Sequence, residues 1–108
     1  MKLRNAWRNF TERFKPPVKT RHVEELPDTP QKRALYLIGD EGEEAWQAAM
    51  RCPCGCGSII RLSLVPGDKP RWEARSDDHG RATLWPSVAR HRGSAAHFIL
   101  RSGRISWV

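Results

Sequence analysis

Three cysteines stand within five residues of one another in the segment Cys52-Pro53-Cys54-Gly55-Cys56-Gly57. Residues at i and i+2 of an extended chain point to one side, so the three sulfurs can face the same way. Zinc favours thiolate ligands, and a structural zinc takes four ligands in a tetrahedron. The spacing therefore predicts a metal site that has three of its ligands in this segment. The alternative is a glycine-rich turn that carries small buried thiols.

A serine and a histidine form the second candidate for chemistry. Ser87 follows a proline, and His97 stands ten residues later at the start of a predicted hairpin. If the strands that flank the intervening loop are neighbours, the histidine can act as a general base and make the hydroxyl a nucleophile for acyl transfer. Asp77 and Asp78 are the nearest acids that could orient the ring. The alternative is a turn serine and a structural histidine.

The length of the chain and its cysteines bound the class of protein. A chain of 108 residues makes one small domain, whose modest core a metal would help to hold. An odd number of closely spaced cysteines argues against disulfides. The N-terminus has no apolar segment of the signal-peptide kind, and no run is long enough to span a bilayer. Thiols without an export signal predict a protein of the reducing cytoplasm.

The net charge of +7 is concentrated at the N-terminus. Residues 1–22 carry seven Lys or Arg against one acid, whereas residues 23–108 carry twelve against eleven. The basic character therefore belongs to an arm, and we divide the chain into a basic amphipathic arm, residues 1–21, and a domain, residues 22–108.

The arm has the pattern of an amphipathic helix. Leu3, Trp7, Phe10 and Phe14 recur at helical spacing, with basic residues between them, until two prolines end the helix. One interpretation is a short helix that packs this stripe on the domain. The other is a basic handle for an acidic partner, a membrane surface or nucleic acid.

The rest of the chain favours short strands separated by turns. Residues 15–33 are predicted to form a linker or a meandering lead-in to the domain. A short helix is predicted over residues 43–50, where acids occupy the first turn. The predicted strands cover residues 34–38, 58–64, 72–75, 82–85, 97–100 and 104–108. The sequence thus predicts an α+β fold, a small β-rich domain of mostly antiparallel strands with one short helix, stabilised by zinc, plus the N-terminal helix.

Several segments of residues 22–108 resemble, in this order, a small bacterial domain family long of unknown function. Members of this family occur beside bacterial ubiquitin-like conjugation genes. The segments are Leu26-Pro27, Leu35-Tyr36, Trp46, the cysteine segment, Pro70-Arg71-Trp72, Thr83-Leu84-Trp85-Pro86-Ser87-Val88, His97-Phe98 and Gly103-Arg104-Ile105-Ser106-Trp107.

The resemblance implies a zinc-bearing peptidase that acts on ubiquitin-like tails. By this likeness Ser87 is the nucleophile and His97 the base. The likeness also makes Cys52, Cys54 and Cys56 ligands of a structural zinc. The expected substrate is ubiquitin or a ubiquitin-like protein.

The chain departs from the family pattern just before the last hairpin. The pattern Gly-Cys-x-Ser-His is here Gly93-Ser94-Ala95-Ala96-His97. A cysteine that could complete four thiolates is therefore a serine, which is a poor zinc ligand. We predict that His91 is recruited instead; a water ligand or loss of the metal are the alternatives. If the fourth ligand were His97, the ring would no longer be a free base and the serine mechanism would fail.

A second class of function also fits the residues. A zinc-stabilised binding module without catalysis could use the basic arm and five tryptophans to engage nucleic acid or an acidic protein. The nearly neutral charge of residues 23–108 makes nucleic acid the less favoured partner.

Overall fold

The computed structural model describes residues 3–89 and 97–108. Within them the chain forms one helix and nine strands. The elements are α1 (Leu3–Glu12), β1 (Lys19–Val23), β2 (Ala34–Ile38), β3 (Gln47–Arg51), β4 (Ile59–Ser63), β5 (Glu73–Ser76), β6 (Ala82–Trp85), β7 (Val88–Ala89), β8 (His97–Arg101) and β9 (Arg104–Trp107). The predicted β-rich α+β class is confirmed.

The strands form three small sheets. The first has the order β1-β2-β3-β4, the second pairs β5 with β6, and the third has the order β7-β8-β9. All the pairs are antiparallel except β1 with β2, which is parallel. The sheets enclose one apolar core, at whose centre Leu35, Met50, Leu84, Phe98 and Leu100 are almost completely buried.

The strands predicted from hydrophobic alternation are confirmed. In β4, Ile60 and Leu62 are buried while Arg61 between them is exposed, as expected for a strand with one face on the core. The C-terminal hairpin also forms, and Ser102 and Gly103 occupy its turn with φ of 48° and 78°.

Gly103 is required by close packing as well as by its positive φ. Its amide donates to the Ala82 carbonyl at 2.7 Å, and its carbonyl accepts from the Val18 amide at 2.8 Å. A Cβ atom at this position would lie 2.8 Å from the Cβ of Pro17. Only glycine therefore lets the turn join the second and third sheets to the segment that follows the helix.

The helix predicted over residues 43–50 is wrong. Residues of this segment form β3, which pairs with β2 on one side and with β4 on the other. Ala48 and Ala49 are fully buried. Their helix propensity is worth less than the two ladders of backbone hydrogen bonds and the burial gained in a central strand, so the tertiary context overrides it.

The linker predicted over residues 15–33 is also wrong in part, because it contains β1. This strand lies at the edge of the first sheet and has only half-buried and exposed residues. Its sequence lacks the apolar alternation by which strands are found, since an edge strand with few core contacts needs little apolar surface.

Helix α1 packs on β9 with its polar side. The Asn9 side chain accepts from the Trp107 amide at 2.7 Å and donates to the Trp107 carbonyl at 3.2 Å. Glu12 accepts from the Ile105 amide at 3.1 Å. These side chains satisfy backbone groups at the open edge of β9, as a covering element must. The interpretation that the apolar stripe packs on the domain is wrong.

No helix among residues 3–89 and 97–108 is long and apolar enough to cross a membrane. The division into an arm and a domain at residue 21 stays a prediction. Strand β1 runs through that boundary.

Candidate active site

Ser87 and His97 are positioned by the pairing of β7 with β8. Val88 lies opposite Phe98, and Ala89 lies opposite His97. Ser87 precedes Val88, so it is the diagonal neighbour of His97 on the same face of the sheet, within reach of side-chain contact. Val88 and Phe98 point the other way and are buried. The alternation of the two strands therefore directs the serine and the histidine to the outer face.

The two side chains meet on that face. Ser87 Oγ lies 3.0 Å from His97 Nε2, which is a hydrogen-bond distance. His97 is exposed and Ser87 is half-buried, so a substrate has access to both groups. A serine hydroxyl in this contact can pass its proton to the imidazole as it attacks a carbonyl carbon.

Hydrogen bonds to neighbouring residues hold the backbone of both residues. The Trp72 indole N–H donates to the Ser87 carbonyl at 3.3 Å, and the Val108 amide donates to the His97 carbonyl at 3.0 Å. The Phe98 side chain is fully buried beneath this face, and its ring centroid lies 5.7 Å from that of Trp107. The backbone that carries the pair is thus fixed by hydrogen bonds and by core packing.

The expectation that Asp77 orients His97 is wrong. Its carboxylate accepts from the Arg81 amide at 2.8 Å, the Arg81 Nε at 2.6 Å and the His79 amide at 2.9 Å. These hydrogen bonds hold the pKa of Asp77 below its usual value. They belong to the turn between β5 and β6, whereas Ser87 follows the other end of that hairpin.

The three cysteines lie in the loop that joins β3 to β4. The Cys52 amide donates to the Ser58 carbonyl at 2.8 Å, and the Gly55 amide donates to the Cys52 carbonyl at 3.2 Å. Gly55 and Gly57 have φ of 87° and 83°, and these left-handed conformations let the short loop reverse on itself. The hairpin pairing thus closes the loop and brings its sulfurs together.

The sulfur geometry fits a metal ion. The three Sγ atoms lie within 4.8 Å of one another, and those of Cys52 and Cys54 are 3.0 Å apart. Zn–S bonds of about 2.3 Å place tetrahedral ligands about 3.8 Å apart, so a small adjustment of the sulfur positions suffices.

The three thiols differ in environment: Cys52 is buried in the core and Cys56 is exposed. Hydrogen bonds from the Ser58 side chain and backbone are the main cause that lowers the pKa of Cys56 to about 6.

Comparison with known proteins adds one family. The model of the family described as bacterial ubiquitination-like system serine protease (BubE) matches residues 22–108. The chain belongs to this family. The resemblance identified from the sequence is therefore confirmed. Ser87, on the outer face of the third sheet, thus belongs to a chain of a serine protease family. No curated protein and no solved structure matches the chain significantly.

The BubE match does not test the individual site residues. His91 and Ser94 lie outside the described residues, and the role of His91 as a ligand stays a prediction. His97 is not one of the metal-binding group found in the described part of the chain, which comprises the three cysteines. Its Nε2 atom instead faces the hydroxyl of Ser87.

The contact of Trp72 with Ser87 was not predicted from the sequence. The two residues are fifteen positions apart, with Trp72 just before β5 and Ser87 just before β7, so no local pattern links them. The only signal was that both stand in segments that resemble the BubE family, Pro70-Arg71-Trp72 and the segment ending in Ser87-Val88.

Proposed function

We propose that the protein is a serine peptidase that cleaves after the C-terminal tail of a ubiquitin-like protein. The observation that carries the proposal is the 3.0 Å contact of Ser87 Oγ with His97 Nε2 on an accessible face, in a chain of a family of serine proteases from ubiquitination-like systems. The family supports the reaction class, and the geometry supports these two residues as its nucleophile and base.

The chemistry follows from the contact. Ser87 Oγ forms a bond to the carbonyl carbon at the end of the tail, while its proton moves to His97 Nε2. The tetrahedral intermediate then breaks its carbon–nitrogen bond, and the histidine gives the proton to the leaving amine. A water molecule, deprotonated by the same nitrogen, then attacks the acyl ester. The bond between Ser87 Oγ and the acyl carbon breaks, His97 returns the proton to Oγ, and the water oxygen becomes part of the released carboxylate.

The surroundings of the pair suit an extended peptide. A depression of about 410 Å³ is lined by residues of β5, by Leu64 and Trp72, and also by His22, Leu37 and residues 43–45. The Trp72 side chain is hydrogen-bonded to the backbone of Ser87. Strand β5 has one partner in its sheet, β6. Its other edge can pair with a tail by strand addition, which suits flexible chain ends. We infer that the tail lies along β5 and ends at Ser87.

Covalent capture tests this function. We expect the protein to form an adduct with ubiquitin, or with a bacterial ubiquitin-like protein, that carries a serine-reactive electrophile at its C-terminus. Peptide mass spectrometry should place the adduct on Ser87. The same electrophile on a scrambled tail should react far more slowly, because the tail supplies the binding energy.

Two results would count against the proposal. One is an adduct on another residue of a folded protein. The other is the absence of any adduct with a panel of ubiquitin-like tails while the protein is folded and metal-loaded, which would favour a binding module without catalysis.

We further propose that the cysteine loop holds a structural zinc. The donor set is three thiols, and Cys52 belongs to the apolar core with Cys54 packed against it. A zinc ion there would tie the β3–β4 loop to the core. Cys52, Cys54 and Cys56 would hold it, with His91 as the proposed fourth ligand.

Loss of one thiolate tests the metal site. We expect Cys54→Ser to weaken zinc binding by at least about 100-fold, more than loss of an outer-sphere partner usually costs. The metal content of the purified protein and competition with a zinc indicator measure the change. Exposed Ser106 provides a control, since Ser106→Ala should keep the metal. Equal zinc in both variants would contradict the proposed ligand set.

A further inference from the structure

The apolar face of α1 points away from the rest of the protein. Leu3, Trp7 and Phe10 of α1 and Phe14 just after it, here called the aromatic stripe, are 90%, 66%, 49% and 75% exposed. The three aromatic rings form a continuous row, with centroids 6.0 Å apart for Trp7 and Phe10 and 5.5 Å apart for Phe10 and Phe14. A row of exposed large apolar side chains marks an interaction surface.

The helix is held in this orientation by its opposite side. Asn9 and Glu12 bind the backbone of β9, and the Arg8 guanidinium lies 4.3 Å from the centre of the Trp107 ring. The Glu12 carboxylate also forms a buried ion pair with Arg33. Turning the stripe inward would break all of these contacts. The outward stripe is therefore built into the domain.

Basic side chains accompany the stripe. With about 100° per residue, Arg4 falls about 90° to one side of the stripe centre, and Arg13 follows directly after the last residue of α1. Both are exposed, as is Lys15. The single acid of this segment, Glu12, faces the protein interior and is neutralised by Arg33. The exposed charged side chains near the stripe, Arg4, Arg13 and Lys15, are thus all cationic.

We propose that the aromatic stripe is an interfacial anchor that inserts shallowly into a membrane surface bearing anionic lipid. Tryptophan, phenylalanine and leucine on one face with arginines beside them is the composition of helices that lie in the lipid headgroup region. The arginines reach the phosphates while the rings enter the acyl boundary. The stripe is a convex ridge, which a bilayer accepts without a preformed groove, whereas a protein partner must supply one.

Vesicle flotation tests this proposal with the full chain. The probes are vesicles of phosphatidylcholine alone and of phosphatidylcholine with phosphatidylserine. We expect the wild-type protein to float with the anionic vesicles and to be released by salt, because its cations contribute part of the binding. The stripe variant Trp7→Ser with Phe14→Ser should bind at least about tenfold more weakly.

Matched variants separate the two components of the surface. Trp46 is also exposed but lies outside the helix, so Trp46→Ser should bind as the wild type does. Arg4→Glu with Arg13→Glu should lose binding to the anionic vesicles. All these positions are exposed, so thermal unfolding should confirm that each variant keeps the fold.

Five results would overturn the proposal. Four of them concern binding and assembly. They are no flotation of the wild type, equal binding to neutral vesicles, unchanged binding of the stripe variant, and a dimer that the stripe variant converts to monomer in solution. The fifth result is that the stripe variant loses proteolytic activity in an assay without vesicles, because the stripe would then bind the protein substrate. The proposal does not rest on the peptidase activity and can hold without it.

Discussion

His97→Ala is expected to abolish turnover of a ubiquitin-like substrate about as completely as Ser87→Ala does. Each single variant should lower kcat by about 10⁴-fold or more, since the nucleophile and its base act as one unit. The double variant should be no slower than either single variant. The measurement is the release of a C-terminal extension from the ubiquitin-like protein, followed under saturating substrate.

This equality follows from the contact of the two side chains. The hydroxyl of Ser87 is a weak nucleophile unless His97 Nε2, at 3.0 Å, receives its proton. Neither side chain supports the core, because both lie on the outer face of the sheet. The variants should therefore unfold at the wild-type temperature and keep their metal content.

Substitution of another serine and another histidine serves as the control. Ser106 and His79 are exposed elsewhere on the protein, and Ser106→Ala and His79→Ala should keep full activity. Additive losses in the Ser87 and His97 variants would mean that the two residues act separately. A folded Ser87→Ala protein with normal turnover would remove the serine mechanism altogether.

Glu12→Ala is expected to destabilise the protein by about 3–5 kcal/mol, the range for removing one partner of a buried ion pair. Only 5% of the Glu12 side chain is exposed. Its two oxygens accept from the Arg33 guanidinium, and one of them also accepts from the Ile105 amide. Without the carboxylate, the half-buried Arg33 charge would lose its ion-pair partner and the buried Ile105 amide would lose its acceptor.

Urea unfolding measures this effect, and the unfolding temperature should fall by roughly 10–20 °C. Glu24 is exposed, so Glu24→Ala should change the unfolding free energy by less than about 0.5 kcal/mol. Glu12→Gln retains the hydrogen-bonding shape without the charge and should fall between these two variants. A Glu12→Ala protein as stable as the wild type would show that the contacts of Glu12 do not stabilise the domain.

The residues of the proposed catalytic pair are different from those that form the core. One face of the third sheet packs Val88, Phe98 and Leu100 into the core. The other face presents the serine and the histidine to solvent. The cysteine loop joins β3 to β4, which belong to the first sheet. Substitutions at the pair and in the loop should therefore have separable effects on activity and on metal binding.

The sequence by itself determined those features that depend on neighbouring residues. The spacing of Cys52, Cys54 and Cys56 is local, and the structure confirms that their sulfurs cluster. The strands β2, β4 and β6 and the β8–β9 hairpin were predicted because each carries its own apolar pattern or turn residues. The segments that resemble the BubE family could also be identified from their order along the chain.

Tertiary structure alone decided the features that depend on distant partners. Residues of good helix propensity became β3 because strands on both sides supply hydrogen bonds and burial. The polar segment Lys19–Val23 became a strand because β2 offers it an edge. Helix α1 turned its stripe outward because Asn9 and Glu12 satisfy the edge of β9.

The contact of Ser87 with His97 arises from the register of β7 on β8. The register depends on how the whole strands fit against the core. It cannot be read from the ten-residue spacing between Ser87 and His97 in the sequence.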